Sequence, residues 1–315
     1  SEAPSLFYQC VKSEKIMTTP AIEKVDGLPI FSAIEPDTIK PAVEKAIAAC
    51  KSEIEEVVAS KDYSYKNLVL RLEEVDDRLS KMFSPVSHMN SVVSSDELRD
   101  AHDACLPLLS EYGTWVGQHE GLYNAYAELK ASDEFESLSE EQQKVIENAV
   151  RDFTLSGVAL PVEQKKRFAE IQAKLSELSS TFSNNVMDAT MGWTKHVTDE
   201  AELAGMPESA LEAAAQAAHQ KDLQGWLFTL DIPSYLPVML YADNRELREE
   251  MYRAYSTKAS EQGPNAGKWD NTDIIKETLT LRTELAELLG FSSYAERSLA
   301  TKMADSTDQV IGFLR

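Results

Sequence analysis

From Ile39 onward the apolar residues of this chain recur in steps of three and four, a spacing that only a helical fold can put to use. The first stripe is Ile39, Val43, Ile47, Cys50, Ile54, Val57 and Val58. Pro36 and Pro41 crowd its start, so a short turn and then a helix from about Pro41 is expected. A second stripe, Leu68, Leu72, Val75, Leu79, Met82 and Phe83, is predicted to stop at Pro85. Ser94 and Glu97 have the spacing of a capping box. They would open one long helix running through Leu98, Cys105, Leu109, Tyr112, Val116, Leu122 and Leu129 to about Lys130, kinked at Pro107. Within it Gly113, Gly117 and Gly121 each cost about 1 kcal/mol relative to alanine, so a seam with close backbone approach is expected there. A membrane-helix reading of that spacing fails because Gln118, His119 and Glu120 interrupt it.

Further helices follow. Ser139 and Gln142 form a second capping box, and Pro161 opens a helix with Phe168, Ile171, Leu175, Leu178, Phe182 and Val186 on one face. The period then changes. Gly192 to Thr198 and Gly225 to Asp231 read as short strands that pair antiparallel, with an alanine-rich helix from about Pro207 to His219 between them. Helices resume after Pro233 and Pro237. One is capped by Asp243 and Glu246, and another is opened by Asp270 or Asn271 and closed by Gly290. The last, from near Asp305, reaches Arg315 with Val310, Ile311, Phe313 and Leu314 uncovered, which predicts a chain cut in mid-structure.

At 315 residues the chain exceeds one ordinary helical core, so two units are expected. Glycine and proline, 12 each, are too scarce for an all-β fold with many tight turns. The formal charge of −22 argues against nucleic acid and against an anionic membrane surface, both of which need basic clusters. Channel selectivity for basic or neutral ligands and plain solubility both account for that charge. The three cysteines, Cys10, Cys50 and Cys105, imply no disulfide framework; Cys50 and Cys105 read as small buried hydrophobes in a reducing, cytoplasmic setting. No apolar run approaches the roughly 18–20 residues of a bilayer span. Leu6, Phe7 and Tyr8 lack a preceding basic region, so no secretory signal is read there. Met17 is a candidate natural start, which makes residues 1–16 an extension outside the fold.

The chemistry is sparse. The histidines are His88, His102, His119, His196 and His219. A zincin helix needs His-Glu-x-x-His, and the one His-Glu pair, His119-Glu120, is followed by Tyr123 where the second histidine must stand. His119 therefore reads as a partly buried helical residue. Gly-x-Ser-x-Gly and Gly-x-Gly-x-x-Gly do not occur, and Gly267-Lys268 lacks the rest of a phosphate loop. Glu73-Glu74, Asp76-Asp77, Glu140-Glu141 and Glu249-Glu250 read as solvated helix faces, and Trp115, Trp193, Trp226 and Trp269 as packing anchors.

Several long strings carry a resemblance. They are Phe83-Ser-Pro-Val-Ser-His88, Trp115-Val-Gly-Gln-His-Glu-Gly-Leu-Tyr123, Ser183-Asn-Asn-Val-Met-Asp-Ala-Thr-Met-Gly-Trp-Thr-Lys195, Thr229-Leu-Asp-Ile-Pro-Ser-Tyr-Leu-Pro-Val238 and Gly263-Pro-Asn-Ala-Gly-Lys-Trp-Asp-Asn271. From about Leu28 to Arg315 the chain resembles the thimet-oligopeptidase family of zinc metallopeptidases. The resemblance implies a mainly α molecule whose deep channel admits short peptides. It divides the chain into a leader (1–27), an N-terminal multi-helix domain with a small two-stranded β element (28–224), and the first helices of a truncated peptidase domain (225–315). Zinc in the intact enzyme would be held by a His-Glu-x-x-His helix that no position here matches. No residue is therefore assigned a catalytic, cofactor-binding or metal role, and no cofactor is expected in this stretch. The expected partners are short peptides and the enzyme's own catalytic half, and the chain alone is expected to be inactive. The alternative is a stand-alone acidic helical binding or scaffold module.

Overall fold

A computed structural model describes residues 19–315. Cys10 and the extension assigned to residues 1–16 lie outside the described residues, as does most of the leader assigned to 1–27. The described part of that leader folds a short 3-10 turn, Ala21–Glu23, whose Ile22 is buried against the first helices. Thirteen α-helices and one two-stranded sheet organise the described residues, so the chain is mainly α.

Helix α1 is Pro36–Ser60, α2 Arg71–Val92, α3 Asp96–Gly117, α4 Glu120–Lys130, α5 Asp133–Ser137 and α6 Glu140–Leu155. Their inward stripes make the largest core, in which Ile39, Val43, Val57, Leu68, Val86, Cys105, Leu122 and Ile146 are fully buried or nearly so. Each such side chain contributes about 1.5–3 kcal/mol by leaving water. That yield explains why the prolines were misread. Pro36, not Pro41, opens α1, and Pro41 and Pro85 sit inside continuous helices, whereas Pro107 lies within α3 as expected. An interior proline costs about 3 kcal/mol through its missing N–H. Ala42 and Val43 beside Pro41, and Val86 and Asn90 after Pro85, keep those turns helical by being buried.

Two caps are displaced by one residue. Ser95, not Ser94, accepts from the Leu98 N–H, and Asn244, not Asp243, accepts from the Leu247 N–H. Both boundaries hold adjacent cap-competent residues, among which the local pattern does not choose. The Ser139–Gln142 capping box forms in full. The single long helix expected from Leu98 to Lys130 is two helices, broken at Gln118 and His119. The glycine seam is accordingly split. A Cβ on Gly117 would meet Ser156 Cβ at 2.6 Å and one on Gly121 would meet Val58 at 3.0 Å, whereas Gly113 faces open space.

Helix α7, Val162–Met191, carries the predicted stripe away from this core. Beyond it, strand β1 (Thr194–Val197) pairs antiparallel with β2 (Trp226–Thr229), Thr194 opposite Thr229 and Val197 opposite Trp226, as the alternation indicated. Helix α8, Glu208–His219, crosses between them. Helix α9, Ile232–Tyr241, begins earlier than expected and contains both Pro233 and Pro237; α10 is Arg245–Ser256. Val197, Phe228, Val238, Leu247 and Met251 form a second core over this sheet. A long loop then leads to α11, Thr272–Leu288, which returns to α7. There Phe168, Ile171 and Leu178 bury against Leu281 and Leu285 in a third cluster. Helices α12 (Tyr294–Leu299) and α13 (Thr307–Leu314) follow, with Phe313 88% exposed.

Cys50 and Cys105 are buried, as their stripes indicated, and burial raises both thiols, that of Cys105 to about 11. Because the thiolate is the reactive form, neither is expected to be alkylated by iodoacetamide in the native protein at about pH 8, whereas both react in urea. Peptide-level mass spectrometry checks this, and native labelling of Cys105 would contradict its placement.

Candidate peptide-facing groove

A groove of about 800 Å³ lies where α3, α7 and α11 meet. Its form follows from the α7 sequence. Phe168, Ile171 and Leu178 point under α11, while Leu175 and Phe182, on the edge of the same stripe, line the opening. Ser176, Ser179 and Ser183 recur at steps of three and four beside them, and these small side chains keep the wall low. Helix α3 contributes Leu109, Ser110, Gly113 and Thr114. The open space at Gly113 is therefore part of the groove. Helix α11 contributes Ile275, Thr278 and Leu279, of which Leu279 is 58% exposed, and Arg282. Apolar walls with a few hydroxyls and one charge are the usual make-up of a ligand-binding cleft.

Polar contacts hold the three helices in place. Arg167 on α7 donates two hydrogen bonds to Glu284 on α11, at 2.6 and 2.7 Å, and holds its carboxyl below the usual carboxylate range. Both groups are exposed, so the pair orients more than it stabilises. At the N-terminus of α11 the buried Asn271 donates to the Phe182 carbonyl and accepts from Asn185. Between α3 and α7, Arg99 makes a two-pronged pair with Asp188 at 2.7 and 2.9 Å. Asp103 accepts from Ser180 and Asn184 and is paired with His102.

The histidines do not converge. His88 packs against Phe31, His102 pairs with Asp103, and His196 meets the Gln224 carbonyl. His119 caps α4: its Nδ1 accepts from the Leu122 N–H at 3.0 Å, and its Nε2 lies 2.9 Å from Glu55. An accepting Nδ1 leaves the proton on Nε2, so the ring donates to Glu55. Among the described residues no group of three or more His, Cys, Asp or Glu side chains is arranged to hold a metal ion. Two of the carboxylate pairs make surface ion pairs, Asp77 with Lys81 and Glu250 with Lys195. Asp76 is exposed, as read from the sequence, but stands at the edge of a cavity. It lines this cavity, of about 290 Å³, with Gly117 and Tyr126, where desolvation and Glu73 raise its carboxyl. The tryptophans pack: Trp115 edge-on to His119, Trp193 and Trp226 against the second core, and Trp269 over Gly192. Sequence reasoning did not find the groove. Its α7 half is a readable stripe, but nothing local says that α11 returns to it.

The fold and groove define a class: a mainly α chain with one small sheet and an open groove between three helices. Residues 43–166 match the family model of the neurolysin/thimet oligopeptidase N-terminal domain, and residues 238–315 match that of peptidase family M3. The chain is 60% identical over 298 residues to oligopeptidase A of Haemophilus influenzae, covering 95% of this chain and 44% of that protein. Oligopeptidase A of Escherichia coli matches at 60% over 299 residues, with the same coverage. The probable cytosolic oligopeptidase A of Arabidopsis thaliana matches at 38% over 311 residues, 96% of this chain and 44% of the relative. The chain thus corresponds to the N-terminal part of an oligopeptidase A-like member of peptidase family M3, and it spans less than half the length of these relatives. No described helix is long and apolar enough to cross a membrane.

Proposed function

We propose that this chain supplies the N-terminal, channel-forming part of a zinc-dependent oligopeptidase that hydrolyses short peptides in the cytoplasm. The observation that carries this reading is the 60% identity to oligopeptidase A over 95% of the chain. The groove supports it. Leu109, Ser110 and Thr114 come from the segment matched to the N-terminal domain and Ile275, Leu279 and Arg282 from the segment matched to the peptidase family, so the two build one surface together. The described residues do not fit a zinc ion. Each of His88, His102, His119 and His196 is engaged by a separate neighbour, and zinc needs three protein ligands in one place. No catalytic step is therefore assigned to this chain. Its share of the work is binding and size selection, and hydrolysis and zinc belong to the catalytic half of such an enzyme.

The expected outcome is that the chain alone, with added zinc, leaves a quenched fluorescent peptide intact. Joined to the remainder of the Haemophilus influenzae relative, it cleaves that peptide until a chelator is added. Cleavage by the chain alone that chelation controls attribute to it would overturn the assignment, as would a folded but inert joined protein.

A further inference from the structure

The end of the groove carries a feature that the oligopeptidase reading does not use. Tyr294, at the start of α12, is flanked by two guanidinium groups, Arg282 at 4.9 Å and Arg297 at 5.8 Å from its ring centre. Neither makes an ion pair among the described residues, a state they share with Arg78, Arg245, Arg248 and Arg253, but only these two meet at one aromatic ring. Like charges held together raise each other's energy unless an anion joins them. The Arg297 Nε is buried and has no hydrogen-bond acceptor, a state that calls for a missing partner. Arg282 is the one charged side chain among the residues lining the groove, and the rest are apolar or hydroxyl-bearing apart from the Gln172 amide.

We propose that Arg282 and Arg297, set on Tyr294, bind the free C-terminal carboxylate of a peptide lying in the groove between α3, α7 and α11. The inference rests on the peptide reading above and adds which end of the peptide is held, and where. A guanidinium matches a carboxylate with two parallel N–H donors, and its flat face packs on an aromatic ring while its edge stays free. Ser179 and Thr278 offer hydroxyls to the peptide backbone, and Leu279 and Phe182 offer apolar contact to its side chains. An anchor of this kind selects for a chain end, because an internal segment of a folded protein brings no free C-terminal carboxylate to the site.

The test is binding of an N-terminally labelled pentapeptide of alanine and leucine to the 315-residue chain, followed by fluorescence anisotropy. The free acid is expected to bind at least about tenfold more tightly than the same peptide as its C-terminal amide. Arg282→Gln removes that difference, Arg282→Lys retains part of it, and Arg297→Gln weakens the acid selectively; circular dichroism verifies that each variant is folded. Equal affinity for acid and amide, or a folded Arg282→Gln protein that keeps the preference, overturns the proposal. So does an amide bearing a terminal glutamate that binds as tightly as the free acid, which would move the site to a side-chain carboxylate. Binding of neither peptide also overturns it. The hydrolysis assay on the joined protein judges the oligopeptidase reading independently: cleavage there without any acid preference leaves that reading standing and removes this one.

Discussion

Replacing Phe168 with alanine is expected to lower the unfolding free energy by about 3–5 kcal/mol, the range for truncating a fully buried aromatic. Phe168 is 1% exposed and stands in the cluster that joins α7 to α11, with Ile171, Leu178, Leu281 and Leu285. That cluster is small, so few neighbours can close the space left behind. Urea unfolding with an unchanged slope measures the loss. Hydrogen exchange localises it, because the α11 amides lose more protection than those of α1, which belongs to the separate large core. A loss under about 1 kcal/mol, or protection lost evenly across α1 and α11, would show that α11 is anchored by something other than this contact. The variant also loosens the α11 wall of the groove, so it is expected to weaken the peptide binding proposed there while leaving Arg282 unchanged.

Gly225→Ala should cost about 2–3 kcal/mol, from strained backbone together with overpacking. Gly225 has φ +88°, and a Cβ there would stand 2.3 Å from the Val197 carbonyl oxygen and 3.2 Å from Thr198 Cα. Both obstacles are backbone at the end of β1, and they cannot swing aside without breaking its pairing with β2. Gly290→Ala provides the comparison. Its φ, +82°, is nearly the same, but nothing lies within 4 Å, so only the conformational cost of about 1–2 kcal/mol remains. Thermal unfolding of the two variants separates strain from collision. Equal losses would mean that β1 yields to the new methyl group.

The helical architecture was legible because burial and periodicity are local to each stripe. The α7 stripe, the paired strands, the Ser139–Gln142 box and the buried Cys50 and Cys105 all follow from spacing within a dozen residues. The errors share a cause. Pro41 opens a helix and Pro85 stops one by local rules, and each is overruled by buried residues within a turn of it. His119 ends a helix that the apolar pattern would continue, because an imidazole acting as a cap is not among the usual capping signals. The groove was invisible for a deeper reason. Its walls come from α3, α7 and α11, and the Arg282–Tyr294–Arg297 cluster from α11 and α12; no short window of sequence contains either constellation. The family resemblance identified the kind of molecule, but its catalytic zinc motif matches no residue of this chain.

The closure of α11 on α7 also sets an order in time. On the ribosome, α7 is complete at Met191, yet the leucines that cover it begin in a helix that starts at Thr272. At roughly 5–20 residues per second, that interval of about eighty residues leaves Phe168 and Ile171 uncovered for several seconds. Meanwhile the sheet and its helices, synthesised in between, can complete their own core. The nascent chain therefore passes through a stage with one finished core, a second forming and a bare apolar strip on α7, and that strip is where a holding chaperone would be expected to act.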